Sequence, residues 1–155
     1  MRTVNMRVPV THLDPDRAFG LIREFSRYPE LTDAVEKVIV NTPDPDGSVV
    51  SEWLVHFRKG LLNWTERDHF DQERRHIRFS QISGDFSTFD GEWLVEPAGA
   101  GCRVAFDAAF DLGIPTLAEL LDPVAEAALR GNILRILTGL FDAGEQLVDA
   151  NAEAG

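Results

Sequence analysis

Two carboxylates lie two residues apart in a strand-like part of this chain. Residues Leu62–Phe70 read LNWTERDHF, and Trp64, Glu66 and Asp68 fall on the same side of a strand with that sequence. A carboxylate on an inward face is costly unless it is paired or hydrated, so these two indicate water, a ligand or a basic partner inside the fold. If burial raises its pKa, such a carboxyl group can act as a base towards a proton next to a carbonyl.

The opposite orientation of this strand stays open on the sequence alone. A twist or bulge would turn Glu66 and Asp68 to solvent and bring Arg67 and His69 inward. An arginine, Arg67 or Arg78, would then polarise a carbonyl oxygen as a fixed cation. The predicted catalytic residues are therefore Glu66, Asp68, Arg67 and Arg78.

Large aromatic side chains dominate the inward positions of the predicted strands. Tryptophan rings can hold a flat ligand by stacking and by shape, although an ordinary packed core accounts equally for most of these residues. A glutamine also interrupts the apolar face of its own strand. The predicted substrate-binding residues are Trp53, Phe57, Trp64, Phe79, Gln81, Phe89 and Trp93.

Period-two alternation predicts about seven antiparallel strands that would position these residues. The first strand covers about Thr3–Val10. A helix follows, with Asp14 as its N-cap and Pro15 at its first position, and a short turn or helix begins at Tyr28. The remaining predicted strands are Val35–Thr42, Val49–Phe57, Leu62–Phe70, Arg75–Ile82, Phe86–Val95 and Gly101–Phe110.

A long apolar helix closes the sequence. It is expected to begin between Thr116 and Asp122-Pro123 and to continue to Val148, a length of roughly 40 Å at about 1.5 Å per residue. Such a helix must lie across the sheet. The predicted fold is therefore α+β: a bent antiparallel sheet, two short helices and one long C-terminal helix that together enclose a cavity. Residues 1–150 are expected to form one domain, with 151–155 as a disordered tail.

Amino-acid composition and charge limit the classes of binding partner that are expected for this chain. The chain has 155 residues and a formal net charge of −11, which disfavours nucleic acid and anionic lipid surfaces. Its single cysteine excludes an internal disulfide. No secretory signal or apolar run of membrane-spanning length is present, so a cytoplasmic location is expected. Two basic clusters, Arg58-Lys59 and Arg74–Arg78, are candidate contacts for an acidic partner.

Common cofactor and metal motifs are absent from the sequence. There is no phosphate-binding glycine loop, no dinucleotide fingerprint after a strand and no nucleophile elbow. The four histidines fall on different predicted elements, without the spacing of metal ligands. We therefore expect neither a cofactor nor a metal.

The order of these elements resembles the helix-grip superfamily of START-like and Bet v 1-like domains. Within it, the chain looks most like the bacterial polyketide cyclase/aromatase and coenzyme Q-binding branch. The resemblance covers nearly the whole chain, and its carriers are Tyr28-Pro29-Glu30-Leu31, Trp93 in the sixth strand, and Gly101-Cys102-x-Val104-x-Phe106 at the seventh. This fold hosts both enzymes and carriers.

The resemblance implies an aromatase/cyclase that closes and dehydrates a poly-β-ketone tethered to an acyl carrier protein. Such enzymes commonly use a cavity arginine on the strand that corresponds to Leu62–Phe70, and this chain has Asp68 at that position. Arg58, Lys59, Arg74 and Arg75 are the candidate docking residues for the carrier protein. The alternatives are a carrier or chaperone for a quinone, lipid or other apolar ligand, and an interaction subunit with a filled core.

Overall fold

The protein is described here by a computed structural model that covers residues 2–57, 60–112, 115–142 and 147–151. The side chains of Phe57 and of residues 115–122 lie outside that description, as do Arg58 and Lys59. The elements, in chain order, are β1 (Arg2–Val10), α1 (Pro15–Ile22), a 3₁₀ turn (Phe25–Arg27), α2 (Tyr28–Leu31), β2 (Val35–Val40), β3 (Val49–Phe57), β4 (Gly60–Asp71), β5 (His76–Gly84), β6 (Thr88–Ala98), β7 (Gly101–Asp111) and α3 (Pro115–Leu140).

The seven strands form one antiparallel sheet in the order β1-β7-β6-β5-β4-β3-β2. The sheet curls, and α3 lies against its inner face. This architecture confirms the predicted α+β helix-grip fold. Hairpin connections keep β2 to β7 adjacent in space, so side chains from β3, β4, β5, β6 and β7 converge beneath α3.

Local sequence signals account for the first elements. In β1, Val4, Met6, Val8 and Val10 are at most 1% exposed, as period-two alternation predicts. Helix α1 begins after Asp14, whose side chain accepts a hydrogen bond from the Arg17 backbone N–H at 3.0 Å. That cap satisfies one of the N–H groups that a helix start leaves without a partner.

Helix α3 ends earlier than the apolar pattern predicts. Its last residue is Leu140, and Asp142 follows with φ of 49°, a left-handed conformation that stops a helix. Beyond this point Leu147 packs against the core, and its backbone N–H donates to the Thr138 hydroxyl at 3.1 Å. The expectation of a helix to Val148 is therefore wrong. Apolar residues continue to face the core after the helix has ended.

The segment after α3 ties that helix to β1. Asp149 is 2% exposed, accepts from the Arg7 backbone N–H at 2.9 Å and pairs with the Arg130 guanidinium at 2.8 Å. Asn151, the first residue of the predicted tail, donates its side-chain N–H to the Asn5 carbonyl at 3.1 Å, and the rest of that tail lies outside the described residues.

A register shift in the β4–β5 ladder leaves the orientation of the β4 carboxylates unchanged. Thr65 pairs with Ser83, whereas Glu66 pairs with Gln81, so Ile82 is an extra residue on β5. Ile82 is exposed on the outer face. The bulge lies on β5, and the alternation of β4 continues without interruption through Trp64, Glu66 and Asp68.

Candidate functional site

A small aromatic cavity lies between α3 and the inner face of the sheet. Its volume is about 70 Å³, and a second space of about 50 Å³ adjoins it. Both are smaller than the roughly 300–1,000 Å³ of a typical small-molecule site. The larger cavity is lined by Phe25, Tyr28, Val35, Trp53, Val55, Trp64, Glu66, Phe79, Phe89, Trp93, Phe106, Leu129, Asn132, Ile133 and Ile136.

Five of the predicted substrate-binding residues lie on this wall, namely Trp53, Trp64, Phe79, Phe89 and Trp93. The Trp53 and Trp64 rings are parallel, with centroids 5.9 Å apart, because the two residues are opposite one another across β3 and β4. The two rings are stacked in separate planes, and both residues line the cavity. An indole face suits a planar, partly unsaturated ligand.

Of the two other predicted binding residues, Gln81 stands apart from the cavity lining. Gln81 donates its side-chain N–H to the Phe86 carbonyl at 2.8 Å, and its own side-chain oxygen is buried without a hydrogen-bond partner. Gln81 therefore supports the turn that carries Phe86, a residue on the wall of the smaller space. The side chain of Phe57 lies outside the described part of the chain.

The central chemical feature is a buried pair of carboxyl groups. Glu66 is 4% exposed and lines the cavity, and Asp68 is 0% exposed behind it. Trp64 donates its indole N–H to Glu66 Oε1 at 2.8 Å. Each carboxyl group alters the pKa of the other, and a hydrogen bond between them forms when one of the two carries a proton.

Burial governs the charge of this pair. It raises the pKa of Glu66 well above the usual range, and the hydrogen bond to Asp68 and the negative charge of Asp68 raise it further. Burial also raises the pKa of Asp68, against hydrogen bonds from Glu66 and Ser51 that lower it. As pH rises, the Asp68 carboxyl group therefore loses its proton before the Glu66 carboxyl group does.

A second hydrogen-bond chain supports Asp68 from β3. The Ser51 hydroxyl, which is fully buried, donates to Asp68 Oδ2 at 2.6 Å. The Trp53 indole N–H donates in turn to the Ser51 oxygen at 2.9 Å. Asp68 Oδ1 has no N–H or hydroxyl donor among the described residues, and the proton on Glu66 is therefore its natural partner. Each carboxyl group is thus linked to one of the two stacked indoles.

The structure does not bring Arg67 or Arg78 to the cavity. Arg67 lies on the other side of β4, where its guanidinium pairs with Asp44 at 2.6 Å and donates to Ser48 at 2.9 Å. Arg78 is exposed in a groove on the outer face of the sheet, beside His69. Since alternate residues of a strand face opposite sides, Glu66 and Asp68 inside place Arg67 outside. The two arginines therefore cannot polarise a carbonyl within the cavity.

Sequence reasoning missed two polar residues on the cavity wall. Tyr28 lines the cavity, and its hydroxyl donates to the Ile22 carbonyl at 2.8 Å. Burial raises the pKa of Tyr28, and the charges of Glu66 and Asp68 add to this, so it is a neutral phenol. Asn132 reaches the cavity from α3. The sequence marks Tyr28 only as part of the family resemblance at Tyr28-Pro29-Glu30-Leu31. Asn132 lies between apolar residues of the predicted C-terminal helix, and nothing in the sequence distinguishes it.

The basic residues of the β4–β5 turn lie far from the cavity's smaller space. Arg74 is exposed there, and Arg75 donates to the Val95 carbonyl at 3.1 Å and pairs with Asp16. The smaller space is lined by Leu62 at the start of β4, whereas Arg74 follows the end of that strand. The other cluster, Arg58-Lys59, lies outside the described residues.

Known proteins share the fold of this chain. Residues 11–136 match the family described as "Polyketide cyclase / dehydrase and lipid transport". The chain belongs to this family. Among curated proteins, none matches. Among solved structures, this chain is similar to TTHA0849 from Thermus thermophilus, with 24% sequence identity and a TM-score of 0.76. The similarity covers 90% of this chain and 93% of that one.

Two further structures extend the comparison. A Streptomyces aromatase/cyclase, Zhui, shares 19% identity at a TM-score of 0.74, with 92% of each chain covered. A START superfamily protein from Mycobacterium smegmatis shares 15% identity at a TM-score of 0.78, covering 92% of this chain and 99% of that one. At these identities the likeness shows the fold. The described helices of this family member include none that is long and apolar enough to cross a membrane.

Proposed function

We propose that this protein is a cytoplasmic aromatase/cyclase that binds a carrier-linked poly-β-ketone and promotes its aldol cyclisation and dehydration. The observation that carries the proposal is the buried carboxyl pair Glu66–Asp68 beside an aromatic cavity. Neither carboxyl group forms a salt bridge with a described residue, and among basic residues only His69 acts on Asp68 through its charge. A structural ion pair therefore does not account for the burial of these groups, whereas acid–base chemistry does.

An aldol closure requires the carboxyl pair to hold one proton and one negative charge. Glu66 accepts the proton from the carbon between two substrate carbonyls, while the proton that it shared moves to Asp68. The resulting enolate carbon forms the new bond to a second carbonyl carbon, and the alkoxide takes a proton back from Glu66. Dehydration repeats the cycle: a second α-proton goes to the pair, and the hydroxyl leaves with a proton as water.

The aromatic wall contributes by selecting the substrate's conformation. Trp53 and Trp64 present a flat surface, and Phe79 and Phe89 meet edge to face at 5.3 Å between centroids. A reactive chain held in one folded conformer closes one ring in preference to others. The carrier protein belongs to the same proposal, with Arg58, Lys59, Arg74 and Arg75 as docking candidates. The smaller space is lined by Val55 and Leu62, which flank Arg58 and Lys59 in the sequence, and this favours Arg58 and Lys59 over Arg74 and Arg75.

The decisive experiment replaces the two carboxyl groups singly by amides. Glu66→Gln and Asp68→Asn should each lower the rate of cyclised product from a carrier-bound chain by about 10²–10⁴-fold, the usual contribution of a general acid or base. Glu52→Gln is the matched control, because Glu52 is exposed on the outer side of the neighbouring strand. Normal rate and regiochemistry in both amide variants would refute the carboxyl mechanism.

A second candidate function is a carrier or chaperone of a quinone, lipid or other apolar ligand. It is favoured by the lining of the smaller space, which is apolar except for His56 and Asn132. In that case native mass spectrometry of freshly purified protein should show a bound apolar molecule, and both amide variants should retain it. Its absence from protein made in several hosts would count against the carrier.

A further inference from the structure

Asn132 occupies a particular place on the inner side of α3. It lines both the 70 Å³ cavity and the adjoining 50 Å³ space, so it stands where the two meet. Its helical neighbours on the wall, Leu129, Ile133 and Ile136, are apolar. Glu66 lines the same cavity from β4, on the sheet side. A ligand that fills the cavity therefore touches the Asn132 amide on one side and the carboxyl pair on the other.

The Asn132 amide has unused hydrogen-bonding capacity. Its side chain makes no hydrogen bond to any part of the chain that the structure describes. Other polar groups of the wall are engaged: the Trp64 N–H binds Glu66, the Trp53 N–H binds Ser51, and the Tyr28 hydroxyl binds a backbone carbonyl. Asn132 is half-buried among apolar neighbours on this wall, and no described residue uses its amide, so a ligand in the cavity can take its hydrogen bonds.

We infer that the Asn132 side-chain N–H binds a carbonyl oxygen of the ligand opposite Glu66–Asp68. The inference deepens the proposed function, and rests on it for the catalytic consequence: as Glu66 takes the α-proton, negative charge grows on that oxygen and Asn132 stabilises it. The ligand class follows from the two walls. It is a neutral molecule with an enolisable carbonyl, such as a β-dicarbonyl, because a carboxylate ligand would meet the negative charge of Asp68.

The first test measures stability and probe binding in Asn132→Leu. The probe is acetylacetone, a small neutral β-dicarbonyl, and its binding is followed by NMR titration. We expect the variant to keep the unfolding temperature of the parent protein, since the Asn132 amide has no hydrogen bond to a described residue to lose. We expect its affinity for acetylacetone to fall about tenfold, the value of one hydrogen bond. A lower unfolding temperature with unchanged affinity would overturn the inference and make Asn132 a structural residue.

Two further variants sharpen the result. Asn132→Asp keeps the shape of the side chain but offers only acceptors once ionised, so it should lose acetylacetone binding as well. Asn63→Leu is the matched control, because Asn63 is exposed on the outer face of β4 and should leave the affinity unchanged. Retained affinity in Asn132→Asp at neutral pH would contradict a donor role for the amide.

Measurements of turnover distinguish a failure of the role inferred for Asn132 from a failure of the proposed cyclase function. With the carrier-bound substrate, Asn132→Leu should lower kcat about 10²-fold, the typical loss when one oxyanion donor is removed. If Glu66→Gln cyclises normally while Asn132→Leu still loses acetylacetone, the cyclase proposal fails and the carbonyl-binding role stands. If Glu66→Gln is inactive while Asn132→Leu binds and turns over normally, the role of Asn132 fails and the cyclase proposal stands.

Discussion

At the scale of single residues, the site depends on an asymmetry between two identical functional groups. Glu66 reaches the cavity and receives an indole N–H, whereas Asp68 lies behind it and receives the Ser51 hydroxyl. A hydroxyl donor favours the ionised form of the acceptor carboxyl group. Ser51 therefore helps to keep the negative charge on Asp68 and the proton on Glu66, the group that meets the ligand.

Replacement of Ser51 by alanine should shift the pH dependence of cyclisation. The hydrogen bond from Ser51 lowers the pKa of Asp68, so its loss raises that pKa. The reaction needs one negative charge on the pair, and kcat/KM therefore rises with pH as the pair loses its first proton. In Ser51→Ala this rising limb should move to higher pH, with a fall of about tenfold at pH values below it.

Ser80→Ala is the control for Ser51→Ala, because Ser80 donates to Asp90 on the outer face in a similar serine–aspartate pair. Its pH–rate profile should match that of the parent protein. A lower rate in Ser51→Ala with an unshifted profile would mean that Ser51 supports packing alone.

Residue types differ in how much they reveal from the sequence. The inward position of Glu66 and Asp68 follows from the alternation that includes Trp64, because a strand offers only two faces. Ser51 shares a face with Val49 and Trp53, yet a small hydroxyl is compatible with either a filled core or a polar chain. The position of Asn132 on the cavity wall was not predicted, because side chains point in many directions around a helix. Which of them face the cavity depends on how α3 is rotated against the sheet.

At the scale of elements, the β5 bulge and the glycine after it define the shape of the wall. Gly84 has φ of 144°, and a Cβ built on it would lie 2.5 Å from the Trp64 Cα. The close approach brings the end of β5 against Trp64, the residue whose indole binds Glu66. Period two predicts the strands here but not the extra residue, since a bulge changes the register without changing the composition.

Gly84→Ala should destabilise the protein and disturb the indole wall. A Cβ contact of 2.5 Å with backbone atoms forces β5 away from Trp64, in a conformation that alanine also disfavours. We expect the free energy of unfolding to fall by about 1–3 kcal/mol, together with a change in tryptophan fluorescence. Chemical denaturation and emission spectra measure both.

Gly99→Ala separates conformational strain from steric contact. Gly99 also has a positive φ, 56°, but nothing lies within 4 Å of its added Cβ. It should therefore show a smaller loss of stability and an unchanged emission spectrum. Equal effects in the two variants would contradict the close packing of Gly84 on Trp64.

At the scale of the whole molecule, the cavity and the proposed substrate differ in size. A space of about 70 Å³ holds a few waters, whereas a poly-β-ketone needs several hundred Å³. The sheet is a continuous ladder, so α3 is the wall that can move. Helix α3 is held near β1 by two salt bridges, Arg2–Glu126 at 2.9 Å and Arg130–Asp149 at 2.8 Å. The rate of ligand entry should therefore depend on these salt bridges.

Asp149→Asn should speed the entry of a ligand larger than the present cavity. The amide removes the charge that pairs with Arg130, and we expect the free energy of unfolding to fall by about 2–4 kcal/mol. If opening of α3 limits entry, the association rate of 1-naphthol should rise several-fold, as followed by stopped-flow quenching of tryptophan fluorescence. Gly84→Ala is the comparison, because it destabilises the sheet without touching the salt bridges of α3. Equal acceleration in both variants would assign entry to global unfolding, and an unchanged rate in Asp149→Asn would place the entrance away from α3.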